Sequence, residues 1–316
     1  MKFPRGKPIL ENTRLEFINI DKLLSASKRE RAHRISGYIS IIYHDVVELI
    51  LLKEGEPFNA IRVGPNVREI VPINEVVEKA KRSNHGILAE YAIDETLLNL
   101  IISSVILKPM KADIDLSRVQ PKIFLDKLKA TKFSGFILAK SGTGESFIYF
   151  DNGEIAGCYI TGSSKQLTGD AIYTFLNIPK LKISVFDHIE EIAAKQATPA
   201  QFDMFRKIFS SLLQGYAHPL GQTLVLKTVM MAKSTVQKEF PFIEQCKIGP
   251  DLSISGNFAV DPKILAQGMA RWFDLIFESF STLLGNESEV IAKKVIHDYR
   301  FALKSLDFFE YTKLKI

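Results

Sequence analysis

"FSGFILAKSGTGESFIYFDNGEIAGCYI", residues 133–160, reads as three strands joined by turns. A near-copy of its pattern lies upstream as "ISGYISIIYHDVVELILLKEGEPFNAIR", residues 35–62. Ser36-Gly37-Tyr38-Ile39 falls on Ser134-Gly135-Phe136-Ile137, 98 residues further along. Without a gap, Ile50 then falls on Ile148, Gly55-Glu56 on Gly153-Glu154, and Ala60 on Cys158. Leu49, Leu51 and Leu52 meet Phe147, Tyr149 and Phe150. The spacing of glycines and apolar positions carries the repeat, and each glycine has a mechanical reading. "KEGE" and "DNGE" sit between apolar runs, and Asn-Gly in that place is a strong hairpin signal. Gly37 and Gly135 open the first strand, where a missing side chain permits a bulge or a close backbone approach.

The correspondence extends outward in both directions. "INEVVEKAK" overlies "TGDAIYTFLN" as a short helix, with Asn74 and Thr168 as the expected caps. "HGILAEYAI" overlies "PKLKISVFDH" as a closing strand, and "NIDKLLSASKRERAHR" and "VQPKIFLDKLKATK" both read as a leading helix. The unit is therefore helix, three antiparallel strands, helix, strand. The expected fold class is α+β: two tandem modules with antiparallel sheets and flanking helices, over 1–110 and 111–197, then a mostly helical region over 198–316.

The string "FSGFI … ESFIYFDNGEIAGCYI … LTGDAIYTFLNI … LKISVFD" resembles the PATAN-type domain of bacterial signalling proteins. The matching features are an aromatic-Ser-Gly entry, a turn on Asn-Gly, a small residue on the next strand, a Gly and an Ala (Gly169-Asp170-Ala171) before a short helix, and a final apolar strand. Gly135, Asn152, Gly153, Ala156, Gly169 and Ala171 match in order over residues 121–187. The first copy departs from the pattern at Pro57 and Phe58, and at Asn74 to Val77. The resemblance implies a partner-binding or regulatory module without known catalytic residues, and it does not reach the last 120 residues.

That last region changes grammar. Thr198-Pro199-Ala200-Gln201 combines an N-cap, a proline at the first helical position and a capping-box Gln. A helix follows, and a second is expected from about Leu220 to Lys238, ending before Pro241. "FIEQCKIGPDLSISGNF" carries too many turn residues for a helix and reads as a short hairpin. Asp261-Pro262 opens a third helix that Gly285 stops. Asn286 to Glu289 reads as a cap opening a fourth helix through about Leu306.

Composition narrows the function classes. With 46% hydrophobic and 24% charged residues, the 316-residue chain builds a packed core rather than a disordered one. A net charge of +5 spread over that length is a weak signal for a polyanionic partner. Cys158 and Cys246 are too few for a disulfide framework or a four-thiolate zinc site. The amino terminus has no apolar stretch of signal-peptide length, and Leu97 to Leu107 is far shorter than the roughly 20 residues of a membrane span. The expected location is cytoplasmic.

Chemistry-bearing motifs are sparse. Lys140 to Glu145, "KSGTGE", lacks the closing Gly-Lys-Ser/Thr of a phosphate loop and is followed by a strand, so it reads as a hairpin turn. The six histidines are scattered, and His44-Asp45 and His297-Asp298 do not make metal sites. No catalytic residue, metal ligand or cofactor is expected. Lys28, Arg29, Arg31 and Arg34 form the densest basic stretch, a solvated helix face or a contact for an anionic partner. Phe273 and Phe277 flank the apolar stripe of the third C-terminal helix and are the candidate interface residues. The expected function is a non-enzymatic protein-interaction or regulatory module whose partner is another protein, with self-association also open. The alternatives are an enzyme with a site at the seam between modules, and a membrane-surface or nucleic-acid adaptor using the Lys28 to Arg34 stretch.

Overall fold

The computed structural model describes residues 2–27, 34–116, 120–142, 144–189 and 195–314. The chain divides into two compact units, residues 1–71 with 76–194 and residues 72–75 with 195–316. The first copy of the repeat comprises β1 (Lys7–Arg14), α1 (Ile20–Ala26), β2 (Gly37–Ile42), β3 (Val47–Lys53), β4 (Glu56–Val63), β5 (Arg68–Ile70), α2 (Ile73–Arg82) and β6 (Ile87–Ala92). After α3 (Glu95–Ile106), the second copy comprises β7 (Lys111–Asp115), α4 (Pro121–Ala130), β8 (Gly135–Ser141), β9 (Gly144–Asp151), β10 (Glu154–Tyr159), α5 (Asp170–Leu176) and β11 (Lys182–Phe186).

Among the described residues the sheet orders are β1-β6-β2-β3-β4-β5 and β7-β11-β8-β9-β10, the same topology except for β5. The registers coincide as well. Gly37 pairs with Leu52 and Gly135 with Phe150; Tyr38 pairs with Leu51 and Phe136 with Tyr149. Both third strands carry a bulge at the equivalent place: Phe58 is the extra residue in β4 and Ala156 in β10. The hairpin tips match too, with positive φ at Glu54 (51°) and Gly55 (78°), and at Asn152 (49°) and Gly153 (86°). Such a two-residue turn follows the right-handed twist of its strands.

The entry motif closes that turn. The Ser36 hydroxyl accepts the Glu54 N–H at 3.2 Å, and Ser134 accepts the Asn152 N–H at 2.9 Å. The carbonyl before each serine accepts the turn glycine, Gly55 to Ile35 and Gly153 to Phe133, both at 2.8 Å. Gly37 and Gly135 lie against the closing strand, where a β-carbon would overlap the carbonyl oxygen of Tyr91 or Phe186. One residue further in, an aromatic pair joins the same strands in each copy: Tyr38 with Tyr91 at 5.5 Å, and Phe136 stacked on Phe186 at 4.4 Å.

Both sheets contribute to one core. Leu49, Leu51 and Ile61 from the first meet Phe136, Leu138 and Phe147 from the second, with Leu98, Leu100 and Ile101 of α3 in the same cluster. This helix touches β2 and β5 on one side and β9 on the other. Its stretch Leu97 to Ser104 is buried except at Asn99, which suits a helix enclosed between two apolar faces. Arg68 of β5 adds a polar tie: it donates to Glu145 Oε1 at 2.6 Å and, through Nε, to the Ser104 carbonyl at 2.9 Å. The faces of the sheets away from this core carry α2 on the first and α4 and α5 on the second, the latter over Ile137, Ile148 and Cys158.

In the second unit, α6 (Pro199–Leu220) starts at the expected capping box, where Thr198 accepts the Gln201 N–H and Gln201 accepts the Thr198 N–H. Then come α7 (Gln222–Glu239), a 3-10 turn at Pro241–Gln245, and a hairpin of β12 (Lys247–Ile248) and β13 (Ile254–Ser255). Next are α8 (Pro262–Leu284), α9 (Asn286–His297), α10 (Arg300–Lys304) and α11 (Phe308–Tyr311). Trp272, Phe209, Phe280 and Tyr216 centre the core of this unit.

Local expectations need correction at three places. α2 begins at Ile73, so Asn74 lies inside its first turn, and α5 is preceded by Gly169 at its cap position rather than Thr168. The expected helix from 286 to 306 is broken at Asp298 and Tyr299, with Gly285 rather than Asn286 at its cap position.

Candidate functional site

The bulged third strand is where the two copies part. In β4 the bulge residue Phe58 and its neighbour Pro57 are buried, and β5 pairs with the strand's far end from Ile61 to Val63. In β10 the equivalent residues are Ile155, half-buried, and Ala156, exposed. Outside the β9 ladder, the one backbone bond to β10 among the described residues runs from the Leu167 N–H to the Cys158 carbonyl. The stretch Glu154 to Gly157 thus leaves its outer edge open, and an open edge is a template for another chain.

A groove of about 270 Å³ runs beside that edge. Leu125, Phe150, Ile155, Ile172 and Tyr173 supply apolar floor and walls. On the rim, Lys129 of α4 pairs with Glu154 at 2.8 Å, which raises the lysine pKa, and Asp126 stands one helical turn away. Gln166, Thr168 and Gly169 close the far side. The floor suits an apolar side chain, the edge an extended backbone, and Asp126 a cation.

A second cavity, of about 300 Å³, opens where the two copies meet. Arg5, Lys7 and Asp94 line it from the first copy, and Tyr159, Ser163 and Lys165 from the second. The Tyr159 hydroxyl donates to Asp94 Oδ1 at 3.1 Å. Burial, and then the Asp94 charge, push the phenol well above the ordinary tyrosine range. Asp94 also accepts the Leu97 N–H at 2.8 Å as the cap of α3.

Buried carboxylates elsewhere in this unit act as ties. Glu48 Oε1 accepts from Arg62 Nε at 2.8 Å and Lys79 Nζ at 2.9 Å, holding α2 to the sheet. Lys79 also lies 4.1 Å from the Tyr43 ring centre, and burial, with Glu48 beside it, pushes the Tyr43 phenol up to about 12.

Of the residues expected from sequence, Lys28, Arg29 and Arg31 lie outside the described residues, and Arg34 is exposed. Phe273 is fully buried, edge-on to Phe209 and Phe308, so it has no surface to offer a partner. Phe277 packs half-buried against the same core. The His44-Asp45 pair is exposed in the β2–β3 turn at 2.6 Å, and His297-Asp298 is exposed at the end of α9. Gly142 lies in the turn between β8 and β9, as the hairpin reading of "KSGTGE" requires; Thr143 is outside the described residues. Cys158 and Cys246 are free and buried, and burial pushes both thiols up to about 12. Among the described residues no three His, Cys, Asp or Glu side chains group to hold a metal ion. No helix among them is long and apolar enough to cross a membrane.

Sequence reasoning did not single out Asp126, Lys129, Ile155 or Tyr173 as site residues. The signal was present in the contrast between Pro57-Phe58 and Ile155-Ala156, because a proline has no N–H to give a further chain, whereas Ile155 and Ala156 each have one. The chain matches no protein-family model and no curated protein.

Proposed function

We propose that this protein is a non-enzymatic binding module that takes an extended peptide segment of another protein along β10. The carrying observation is the open Glu154 to Gly157 edge beside the groove, at the place where the first copy buries Pro57 and Phe58. Main-chain bonds to a sheet edge supply affinity in such recognition, and pockets for alternate side chains supply selectivity. Extended chain already lies along both third strands. β5 runs antiparallel to β4, and Pro4 bridges antiparallel to Thr161 just beyond β10. The favoured segment places one apolar side chain over Ile155 and Tyr173 and a basic one near Asp126. The resemblance to a signalling module agrees with this reading, and a regulatory role follows from it.

The test is selection from a random-peptide library against the intact chain and against Ala156→Arg, which puts a charged side chain into the groove. Enriched peptides should share the apolar and basic positions, slow amide exchange in β10, and fail to bind the variant at unchanged melting temperature. Enriched peptides that bind both proteins equally, or no enrichment at all, reject the proposal. Substrate turnover would favour an enzyme, and salt-sensitive binding to DNA or anionic vesicles lost on neutralising Arg34 and its basic neighbours would favour an adaptor.

A further inference from the structure

We infer that the cavity between the two copies binds a small molecule through a phosphate group. Its cations are unevenly committed. Arg5 stands 3.5 Å from Glu11 with its guanidinium 5.6 Å from the Tyr91 ring centre, which holds it in place at the cavity edge. Lys7 and Lys165 are exposed and make no ion pair among the described residues. One carboxylate, Asp94, also lines the cavity, its Oδ1 held by the Leu97 N–H and the Tyr159 hydroxyl. Three cationic residues, Arg5, Lys7 and Lys165, thus line one space against a single carboxylate.

A phosphate monoester at neutral pH carries a charge of about −1.5 to −2 and three acceptor oxygens. It matches two lysines, whereas a carboxylate would leave one of them unopposed. Ser164 also lines the cavity, and a serine hydroxyl is a neutral donor for the same group. Beyond the phosphate, the walls are apolar at Ala92, Ile93 and Leu97, and the volume of about 300 Å³ leaves room for a small organic group. Because Lys7 opens β1 of the first copy and Lys165 follows β10 of the second, an occupant would link the copies. The site stands apart from the peptide groove, and its failure would leave that proposal untouched.

Calorimetric titration at fixed ionic strength, first with inorganic phosphate and then with glycerol 3-phosphate, tests the inference on the full chain. The combined Lys7→Gln and Lys165→Gln variant should lose more than about tenfold in affinity, since each removes a charge-assisted contact. A control pair of exposed lysines on α7, Lys227→Gln with Lys238→Gln, should bind as the parent does. Sedimentation with phosphatidic acid vesicles, displaced by inorganic phosphate, would assign the phosphate to a lipid headgroup; no sedimentation would assign it to a free metabolite, and either supports the site. Non-saturable binding, or equal loss in the control pair, overturns it.

Discussion

Gly153 sits at φ 86°, and a β-carbon there would lie 2.8 Å from the Lys129 carbonyl oxygen. Two independent penalties meet at this residue, backbone conformation and overlap with α4. Gly153→Val should therefore destabilise by more than about 1 kcal/mol in urea unfolding; a neutral result would remove the steric account of the turn. Glu90 offers a pH test. It is almost fully buried on β6, and burial raises its pKa while the hydrogen bond from Ser27 opposes the shift. A carboxyl whose folded pKa is raised binds its proton more tightly in the folded state. Its contribution is complete below the ordinary glutamate pKa and is lost as pH rises through the folded value. Glu90→Gln removes the charge and keeps a polar group near Ser27. Stability measured across that window should fall with pH in the parent relative to the variant, and parallel curves would contradict the shift.

At the scale of elements, the hairpins were legible because two sequences reported the same spacing. Asn152-Gly153 alone suggests a turn; Gly55 in the other copy fixes its register. The serine of each entry motif has a role the spacing did not disclose, closing the turn from outside the hairpin. Ser36→Ala and Ser134→Ala should each cost about 1 kcal/mol, and by similar amounts, because each deletes one equivalent hydrogen bond. Chemical denaturation of both variants checks this, and a cost confined to one copy would break the equivalence. The strands β1 and β7 were not read from sequence. "KPILENTR" and "KADID" are edge strands with largely exposed side chains, so they lack the apolar alternation that identifies a strand. The apolar stretch now seen in α3 registered only as too short to span a membrane; enclosure on two sides gives a helix no polar face by which to recognise it.

For the molecule as a whole, the repeat is visible in the sequence but its candidate sites are not. The cavity between the copies draws on residues near positions 6, 93 and 163, which no local pattern connects. The groove depends on a difference between the copies, Pro57-Phe58 against Ile155-Ala156, and a difference leaves no repeating pattern in the sequence. Duplication supplies a physical reason for that division: the shared core positions fix the scaffold, leaving one third strand flanked by β5 and the other at the edge of its sheet. It also predicts how the first unit unfolds. The two sheets share one cluster with α3, and Ile101 is fully buried within it. Ile101→Ala leaves a cavity in contact with both copies and should cost about 2–5 kcal/mol. Since neither sheet can shed the contact alone, amide exchange in β3 and β9 should accelerate together and by the same factor. Accelerated exchange in one strand with unchanged protection in the other would mean that the copies unfold separately, and that the common core does not couple them.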